Sequence, residues 1–285
     1  PAAQALSLFI ESRVQQNRPS THRETRRLLN RHLLPILGTR LLSEITTEHV
    51  ASVTDSLSDT PSMANHFHTA AKTFFNWSVS RRYIKHSPMT GLGKPAKTGE
   101  RQRVLTDQEL VAIYRTAQQS GYPFGFIVLI CIHTAMRRGE VAALKWSYIT
   151  DDHITIPGEV TKNGHALMLP NQIADNLALI PKSSSEFLFP SDAGTPFSAW
   201  SKNKKRFDQR CGVTDWTLHD LRRTFATNMA RWQIATPETV DRLLNHVTGS
   251  QSKIAKLYNR WHYAPQMKEA LIAHEAKLAT LISSA

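Results

Sequence analysis

The stretch Leu218-His-Asp-Leu-Arg-Arg-Thr-Phe-Ala-Thr227 indicates how the C-terminal half of this chain is organised. Its apolar residues Leu218, Leu221 and Phe225 recur every three or four positions, which predicts a helix with one buried face. His219 and Arg222 are three residues apart and therefore share a face of that helix. An imidazole beside a guanidinium near a helix N-terminus favours anion binding, although the same pair alone also occurs on ordinary solvated surfaces.

The composition indicates a globular protein with a large excess of positive charge. The 285 residues include 35 Lys and Arg against 23 Asp and Glu, which gives a net charge of +12 and a pI near 9.9. Such a charge favours a polyanionic partner, with nucleic acid first and an anionic membrane surface second. The longest apolar run, residues 126–132, is too short to span a bilayer.

Cysteine usage and motif spacing predict neither a disulfide framework nor a bound cofactor. Cys131 and Cys211 are far apart, and neither belongs to a Cys-x-x-Cys pair. The sequence has no phosphate-binding glycine loop, and its histidines and acidic residues lack the spacing of metal ligands. No signal peptide begins the chain. We therefore expect a cytoplasmic protein that uses no metal and no cofactor.

Residues 1–95 are predicted to form a small helical domain that contacts DNA. Helical apolar spacing recurs in four segments, which begin near Ala5, Ser20, Thr46 and Pro61. Residues 1–97 contain 13 basic and 6 acidic residues, a net charge of +7, whereas the longer remainder has 22 and 17, a net charge of +5. Charge concentrated in this way predicts contact with the phosphate backbone. The candidate phosphate-binding residues are Arg23, Arg26, Arg27, Lys72, Arg81 and Arg82.

Residues 96–103 are predicted to be a basic linker, and residues 104–285 a second domain. A helix with a capped start is expected from Leu105-Thr-Asp-Gln-Glu109, and a buried helix from 124 to 133. The following segment, 134–146, is predicted to turn into a further mostly apolar helix that contains Arg137 and Glu140.

Short strands at 153–156 and 166–169 are predicted to form a hairpin with Lys162 near its tip. Helices are expected again near residues 171, 199 and 218, and over 237–245, 253–260 and 265–282. The fold class is therefore mainly α with one small β-hairpin, an α+β arrangement.

Several polar residues of this domain each have an ordinary structural interpretation. Arg137 and Glu140 are compatible with a surface ion pair, Lys162 with a solvated turn, and His246 with a favourable cation at a helix C-terminus. Tyr258 is compatible with simple packing. Their order along the chain is more informative than any one of them.

Five segments in sequence resemble the motif boxes of the tyrosine recombinase (phage integrase) family. They are Thr134-Ala-Met-Arg137-x-x-Glu140, Lys162 on a hairpin, His219-x-x-Arg222, Leu244-Asn-His246 and Leu257-Tyr258-Asn-Arg260. The context of Tyr258 is most similar to that of prophage and genomic-island integrases, and the helical domain before it resembles the family's core-binding domain. Ala135 stands where the family usually has glycine. Tyr263 is an alternative nucleophile, but its surroundings do not match the Tyr-Asn-Arg pattern.

The resemblance implies a site-specific DNA recombinase that integrates or excises a mobile element through a 3′-phosphotyrosine intermediate. Tyr258 would be the nucleophile and Lys162 the general acid, with His219 assisting proton transfer. Arg137, Arg222 and His246 would bind the phosphate, with Glu140 in support. The implied partners are double-stranded attachment-site DNA, three further copies of the chain in a tetramer, and DNA-bending accessory proteins, in the cytoplasm of a bacterial host and without a membrane.

Three alternative functions are weighed against the recombinase. A type IB topoisomerase shares the tyrosine and arginine chemistry but relaxes DNA without a sequence requirement. A non-catalytic DNA-binding or architectural factor would be expected to have lost Arg137, Arg222 or Tyr258, and all three are present. An RNA-binding helical protein would be expected to carry aromatic platforms for base stacking, which this sequence lacks.

Overall fold

A computed structural model describes residues 1–13, 19–96, 99, 101–162, 166–170, 173, 177–246 and 263–284 of the chain. The chain divides into two compact units, an N-terminal unit of Pro1–Arg101 and a C-terminal unit of Gln102–Ala285. The described residues are mainly helical and include one two-stranded antiparallel sheet. The predicted fold class is therefore confirmed.

In the described part of the N-terminal unit all regular structure is helical, because the apolar residues follow helical spacing. A π-helical turn at Leu29–Leu33 joins two of its helices. Phe67, Phe74 and Phe75 are fully buried, and the ring of Phe74 meets that of Phe9 edge-on at a centroid distance of 5.5 Å. The helices are α1 (Ala2–Arg13), α2 (Pro19–Leu28), α3 (Leu34–Leu37), α4 (Thr47–Asp55) and α5 (Pro61–Ser80).

The C-terminal unit packs helices around the buried helix α7. Its first helix begins as predicted, because the Thr106 hydroxyl accepts from the Glu109 N–H and the Glu109 carboxylate accepts from the Thr106 N–H at 2.8 Å. The helices are α6 (Asp107–Ser120), α7 (Phe124–Thr134), α8 (Arg138–Ala142), α9 (Trp200–Cys211), α10 (Leu218–Arg231), α11 (Pro237–Leu243) and α12 (Ala264–Ser284).

The only sheet among the described residues is the predicted hairpin of β1 (His153–Ile156) and β2 (Leu167–Pro170). His153 lies opposite Pro170 and Ile156 opposite Leu167. The second strand is therefore one residue later than expected. Ile154, Ile156, Leu167 and Leu169 turn their side chains into the core of the unit, as period-two alternation requires.

Two polar residues lie at helix ends rather than where the sequence pattern put them. Arg137 is not inside a helix: it is the residue before α8 and has extended backbone angles, φ −69° and ψ 140°. The helix before His246 ends at Leu243, so this histidine lies beyond the helix. The helix expected over 253–260 and the start expected near residue 171 lie outside the described residues.

The terminal helix α12 packs its apolar stripe on its own unit. Met267, Leu271 and Leu278 are buried in the same cluster as α7. The Arg115 guanidinium donates to the Ile282 carbonyl at 2.9 Å, which satisfies an acceptor in the last turn of the helix. Within the described segments, each helix is too short or too polar to cross a membrane.

Candidate active site

Arg222 is a buried arginine on α10 whose guanidinium is held by two main-chain carbonyls. Nη1 donates to the oxygen of Ala135 at 2.6 Å, and Nη2 donates to the oxygen of Leu244. The two acceptors follow α7 and α11, so the helix that carries Arg222 is locked to two other segments. Only 4% of the residue is exposed. These bonds orient the planar guanidinium while preserving its charge.

Ala135 provides its carbonyl from an unusual backbone conformation. It directly follows α7 with φ 52° and ψ 19°, in the left-handed region that glycine adopts most easily. The residue is completely buried. A small side chain is needed at this position, because a β-branched residue in this conformation would be strained and would have no space.

The first turn of α10 is fixed by a fully buried carboxylate. Oδ2 of Asp220 accepts from the Thr217 N–H at 2.8 Å and from the Thr217 hydroxyl at 3.0 Å. Oδ1 accepts from Nη1 of Arg223 at 2.6 Å. His219 lies within this turn and is exposed, whereas Arg222 lies one turn on and is buried. Asp220 was not among the predicted site residues, although the Thr-x-x-Asp spacing of a capping box is visible in the sequence.

Arg137 and Glu140 form a two-point contact at the start of α8. Glu140 Oε2 accepts from the Arg137 N–H at 3.0 Å, and Oε1 accepts from Nη1 at 2.9 Å. The carboxylate side chain is 3% exposed and that of the arginine 20%. Glu140 therefore holds one edge of a guanidinium that still reaches solvent.

The two guanidinium groups influence each other electrostatically. Burial and, after it, the positive charge of Arg137 lower the pKa of Arg222 to about 10, and the carboxylate of Glu140 partly opposes this change. Two cations that share one region without a full complement of anions form a site for an anionic ligand. The nearby thiol of Cys131 is buried, and burial raises its pKa to about 12.

Two histidines lie within the electrostatic reach of this arginine pair. Although the His219 side chain is exposed, neighbouring protein atoms desolvate part of its ring and lower its pKa, and the charges of Arg223 and Arg222 lower it further. The pKa of His246 is lowered by burial and by Arg222, while Asp241 opposes the change. Both rings therefore favour the neutral form more than a free imidazole does. The structure thus brings Arg137, Arg222, His219 and His246 into one electropositive region.

His246 is anchored by Asp241, a residue that the sequence patterns did not single out. Its ring nitrogen Nδ1 lies 3.1 Å from Asp241 Oδ1, and its backbone N–H donates to the Asp241 carbonyl at 2.9 Å. The neutral ring thus presents Nδ1–H to the carboxylate and leaves the lone pair on Nε2.

The other two predicted catalytic residues are Lys162 and Tyr258. Lys162 is exposed in the connection between β1 and β2, and no hydrogen bond or ion pair to another described residue holds it there. Tyr258 lies outside the described residues. Tyr263 is described: it is half-buried, and its ring lies under the Arg242 guanidinium at 5.3 Å.

The six predicted DNA-contact residues all lie in the N-terminal unit and are exposed. Arg27 differs from the others because its guanidinium donates twice to Glu24, from Nε at 2.9 Å and from Nη2 at 2.7 Å. In the C-terminal unit, Lys202, Lys205 and Arg206 form an exposed basic face on α9. The run Lys-Asn-Lys-Lys-Arg could have indicated this face.

Comparison with known proteins shows which family shares these features. Residues 103–264 match the model of the phage integrase family, and residues 3–94 match that of the phage integrase central domain. A structure of a lambda integrase (75–356) dimer bound to a COC′ core site superimposes with a TM-score of 0.71 at 19% identity, covering 88% of this chain and 97% of that one. That likeness is one of fold.

Two curated relatives extend the comparison at the level of sequence. Prophage integrase IntZ of Escherichia coli K12 is 24% identical over 259 residues, which cover 86% of this chain and 63% of that protein. The integrase of Escherichia phage HK022 is 26% identical over 229 residues, which cover 74% of this chain and 63% of that protein. This chain thus spans less than two thirds of the length of either relative.

Proposed function

The chain belongs to the phage integrase family, and we propose that it is a site-specific DNA recombinase that integrates or excises a mobile element. One observation supports this proposal above the others. Arg137 and Arg222 are each held by protein acceptors and repel each other electrostatically, so together they form a preorganised receptor for a phosphodiester.

The proposed reaction is a transesterification at phosphorus. The phenol oxygen of Tyr258 attacks the phosphorus as His219 accepts its proton, and a bond from tyrosine to the 3′-phosphate forms. The bond from phosphorus to the 5′-oxygen breaks, and Lys162 donates the proton that this oxygen takes as it leaves. The phosphotyrosine retains the energy of the broken phosphodiester, so a 5′-hydroxyl can reverse the step without ATP.

The arginine pair supplies electrostatic stabilisation where charge develops. The non-bridging oxygens gain negative charge as phosphorus becomes pentacoordinate, and fixed guanidinium groups stabilise this charge without reorganisation. In the free protein the charge of Arg137 disfavours that of Arg222, and this repulsion adds to burial in lowering the pKa of Arg222. A bound phosphate relieves that repulsion, and the greater charge of the transition state relieves it further.

His246 is proposed to join this receptor by becoming protonated. In the neutral ring Nδ1–H is directed to Asp241, so Nε2 has no proton to donate. A bound phosphodiester favours the imidazolium form, and Nε2–H then donates to a non-bridging oxygen. Glu140 has a supporting role in this scheme, because it fixes the guanidinium of Arg137.

We assign DNA binding outside the catalytic centre to the helical residues 1–95, with residues 96–103 as a basic linker to the catalytic region 104–285. Support comes from the concentration of charge in the first segment and from the exposure of its basic side chains. The proposed phosphate contacts are Arg23, Arg26, Arg27, Lys72, Arg81 and Arg82.

The proposed assembly is a homotetramer on two duplex attachment sites, aided by DNA-bending proteins, in the cytoplasm of a bacterial host. Solved structures of lambda integrase include a dimer on a core site and a tetramer bound to a Holliday junction. A shared fold supports extending this arrangement to the present chain.

Covalent trapping tests the proposal. The protein is incubated with nicked duplexes of candidate attachment sequences, without metal or ATP, and adducts that survive denaturant are measured. We expect an adduct that Tyr258→Phe abolishes and Tyr263→Phe preserves. Loss only in Tyr263→Phe would move the nucleophile to that residue. Adducts on every sequence, with relaxation of supercoiled plasmid, would instead establish a topoisomerase, and tight site-specific binding without any adduct would establish a non-catalytic DNA-binding factor.

A further inference from the structure

The chain that leaves the N-terminal unit is attached to helix α5 at two points. The carbonyl of Leu92 lies 3.1 Å from Nε2 of His68, a buried ring on α5. Four residues on, Asn65 makes a reciprocal pair with Ala96: Nδ2 donates to the Ala96 carbonyl at 2.9 Å, and Oδ1 accepts from the Ala96 N–H at 3.3 Å. The segment Leu92–Ala96 is therefore fixed against the helix.

A groove of about 470 Å³ lies between α5 and this segment. Lys72 lines it from the helix, and Lys94 lines it from the attached segment. Both lysines are exposed, and Asn76 on the next turn of α5 also lines the groove. Among the described residues that line it, none is acidic. The groove therefore carries two positive charges with no compensating carboxylate in its lining.

The available hydrogen-bond donors indicate the chemistry of the ligand. The hydroxyls of Thr69 and Thr73 are engaged as donors to main-chain oxygens within α5, at 3.0 and 2.8 Å. The remaining side-chain donors in the groove are the two ammonium groups and the amide of Asn76. Two cations and an amide suit a singly charged phosphodiester. The open surface position of the groove suits a phosphate of a continuous strand.

We propose that this groove binds one backbone phosphate of duplex DNA between Lys72 and Lys94, and that Asn65 and His68 are positioning residues that place Lys94 opposite Lys72. The proposal deepens the proposed function, since it rests on the N-terminal unit contacting DNA. Lys94 and Asn76 thereby join the DNA-contacting surface, and Asn65 and His68 support it by holding the segment that carries Lys94.

Salt dependence of DNA binding tests the shared phosphate. The probe is a short fluorescein-labelled duplex of random sequence, whose binding depends on phosphate contacts and needs no attachment site. Fluorescence anisotropy is measured for the full chain over a series of KCl concentrations. Lys72→Ala and Lys94→Ala are each expected to weaken binding and to reduce the slope of log K against log salt by about 0.9 or less. For the double variant this slope is expected to fall by about 0.9 in total, because the two lysines together contact one phosphate.

Lys85→Ala is the matched control, since Lys85 is an exposed lysine of the same unit outside the groove. Its slope is expected to stay at the parent value. A loss equal to that of Lys94→Ala would show that total charge alone matters and would overturn the proposal. A double variant whose slope falls by about 1.8 in total would assign the lysines to two separate phosphates and would also overturn it.

A double-mutant cycle tests the positioning residues. In the Asn65→Ala background the segment is released at Ala96. There, Lys94→Ala is expected to raise the Kd by a factor at least three times smaller than the factor by which it raises the Kd of the parent. An equal cost in both backgrounds would remove Asn65 from the proposal, and thermal unfolding checks that each variant is folded. The trapping assay, run at saturating protein, is independent of these results: absent adducts would refute the recombinase while the anisotropy data still decide the groove.

Discussion

The guanidinium of Arg222 and the carbonyl oxygen of Ala135 form a 2.6 Å hydrogen bond although 87 residues separate them in the chain. The acceptor belongs to a residue in the left-handed conformation directly after α7. The turn at Ala135 and the arginine on α10 are thus parts of one structure. A substitution at either position should therefore alter the geometry of the other.

Replacing Arg222 by lysine should distinguish the contribution of the positive charge from that of the planar guanidinium group. A lysine retains the cation but lacks the planar fork that donates to both Ala135 and Leu244. We expect the rate of adduct formation to fall about 100-fold or more. The free energy of unfolding should fall by about 1–3 kcal/mol, because a buried carbonyl loses its donor. Trapping time courses and urea unfolding measure the two effects. Arg231→Lys, an exposed arginine on the same helix, should change neither, and similar losses in both variants would contradict this account.

The effect of a substitution at Ala135 on the free energy of unfolding should depend more on the backbone conformation of the residue than on the size of the new side chain. Glycine relieves a left-handed conformation that costs about 1 kcal/mol but loses a buried methyl worth about 0.8 kcal/mol. We therefore expect Ala135→Gly to stay within about 1 kcal/mol of the parent in urea unfolding. Ala135→Val should lose about 3 kcal/mol from strain and overpacking together. Ala142→Val provides the control, since Ala142 is buried but helical. Equal losses for the two valine variants would show that conformation has no part.

The helical framework, and the placement of His219 and Arg222 on one helix, could be predicted from local sequence. The spacing of Leu218, Leu221 and Phe225 correctly predicts α10, and the Thr106–Glu109 pair correctly predicts the start of α6. These signals are local, because helical spacing and capping involve residues only a few positions apart. The hairpin was also predicted, with its second strand displaced by one residue.

The remaining features depend on contacts that no local pattern contains. Arg137 was expected inside a helix because apolar residues follow it, but the backbone is extended there and the helix begins one residue later. The two acceptors of Arg222 are main-chain oxygens, which any residue provides, so side-chain identity does not reveal them. The attachment of residue 96 to Asn65 is likewise not visible in the sequence, because residues 88–103 contain two Pro and three Gly and resemble a flexible linker.

Asp220 should contribute more to stability than an ordinary ion-paired carboxylate. Its fully buried oxygens accept three hydrogen bonds, from Thr217 and from Arg223. Asp220→Asn should lower the free energy of unfolding by about 2 kcal/mol, because an amide nitrogen replaces one acceptor. Asp208→Asn is the comparison, since Asp208 is a partly exposed acid paired with Lys204, and it should cost less than about 1 kcal/mol. Urea unfolding distinguishes the two, and equal costs would contradict the buried cap.

The stability of the C-terminal unit should decrease in mild acid because of His274. This ring is 1% exposed against Phe225 and Trp232, and burial lowers its pKa from 6.5 to about 4, with His133 adding to the effect. The unfolded chain binds the proton more readily, so the contribution is fully present above pH 6.5 and is lost as the pH falls towards 4. Its full size is roughly 3 kcal/mol. Urea unfolding at several pH values measures it.

His274→Leu should flatten this part of the pH profile. The Nδ1 atom of His274 has no hydrogen-bond partner in the described structure, so an apolar side chain removes no bond made by that atom. Other groups near the ring, His133 and Glu275, remain in the variant. His153→Gln changes a half-buried histidine of the same unit and should leave the slope unchanged. A parent-like slope in His274→Leu would assign the acid sensitivity elsewhere.

Neighbouring arginines of α2 should differ in their contribution to DNA binding. Arg26 is exposed, whereas Arg27 is bound twice by Glu24 and must give up that partner to reach a phosphate. Arg26→Ala should reduce the salt slope of duplex binding by about 0.9, and Arg27→Ala by clearly less. Glu24→Gln should strengthen binding by releasing Arg27. Anisotropy titrations in KCl measure all three, and equal slopes for Arg26→Ala and Arg27→Ala would be inconsistent with the ion pair.

The two carbonyls that hold Arg222 also determine when its guanidinium can first be fixed during synthesis of the chain. One of them precedes the arginine by 87 residues and the other follows it by 22. A nascent chain on the ribosome therefore has only one of the two acceptors until Leu244 has emerged from the exit tunnel. Incomplete polypeptides released before that point lack one of the two acceptors, so the guanidinium of Arg222 is not fixed in them.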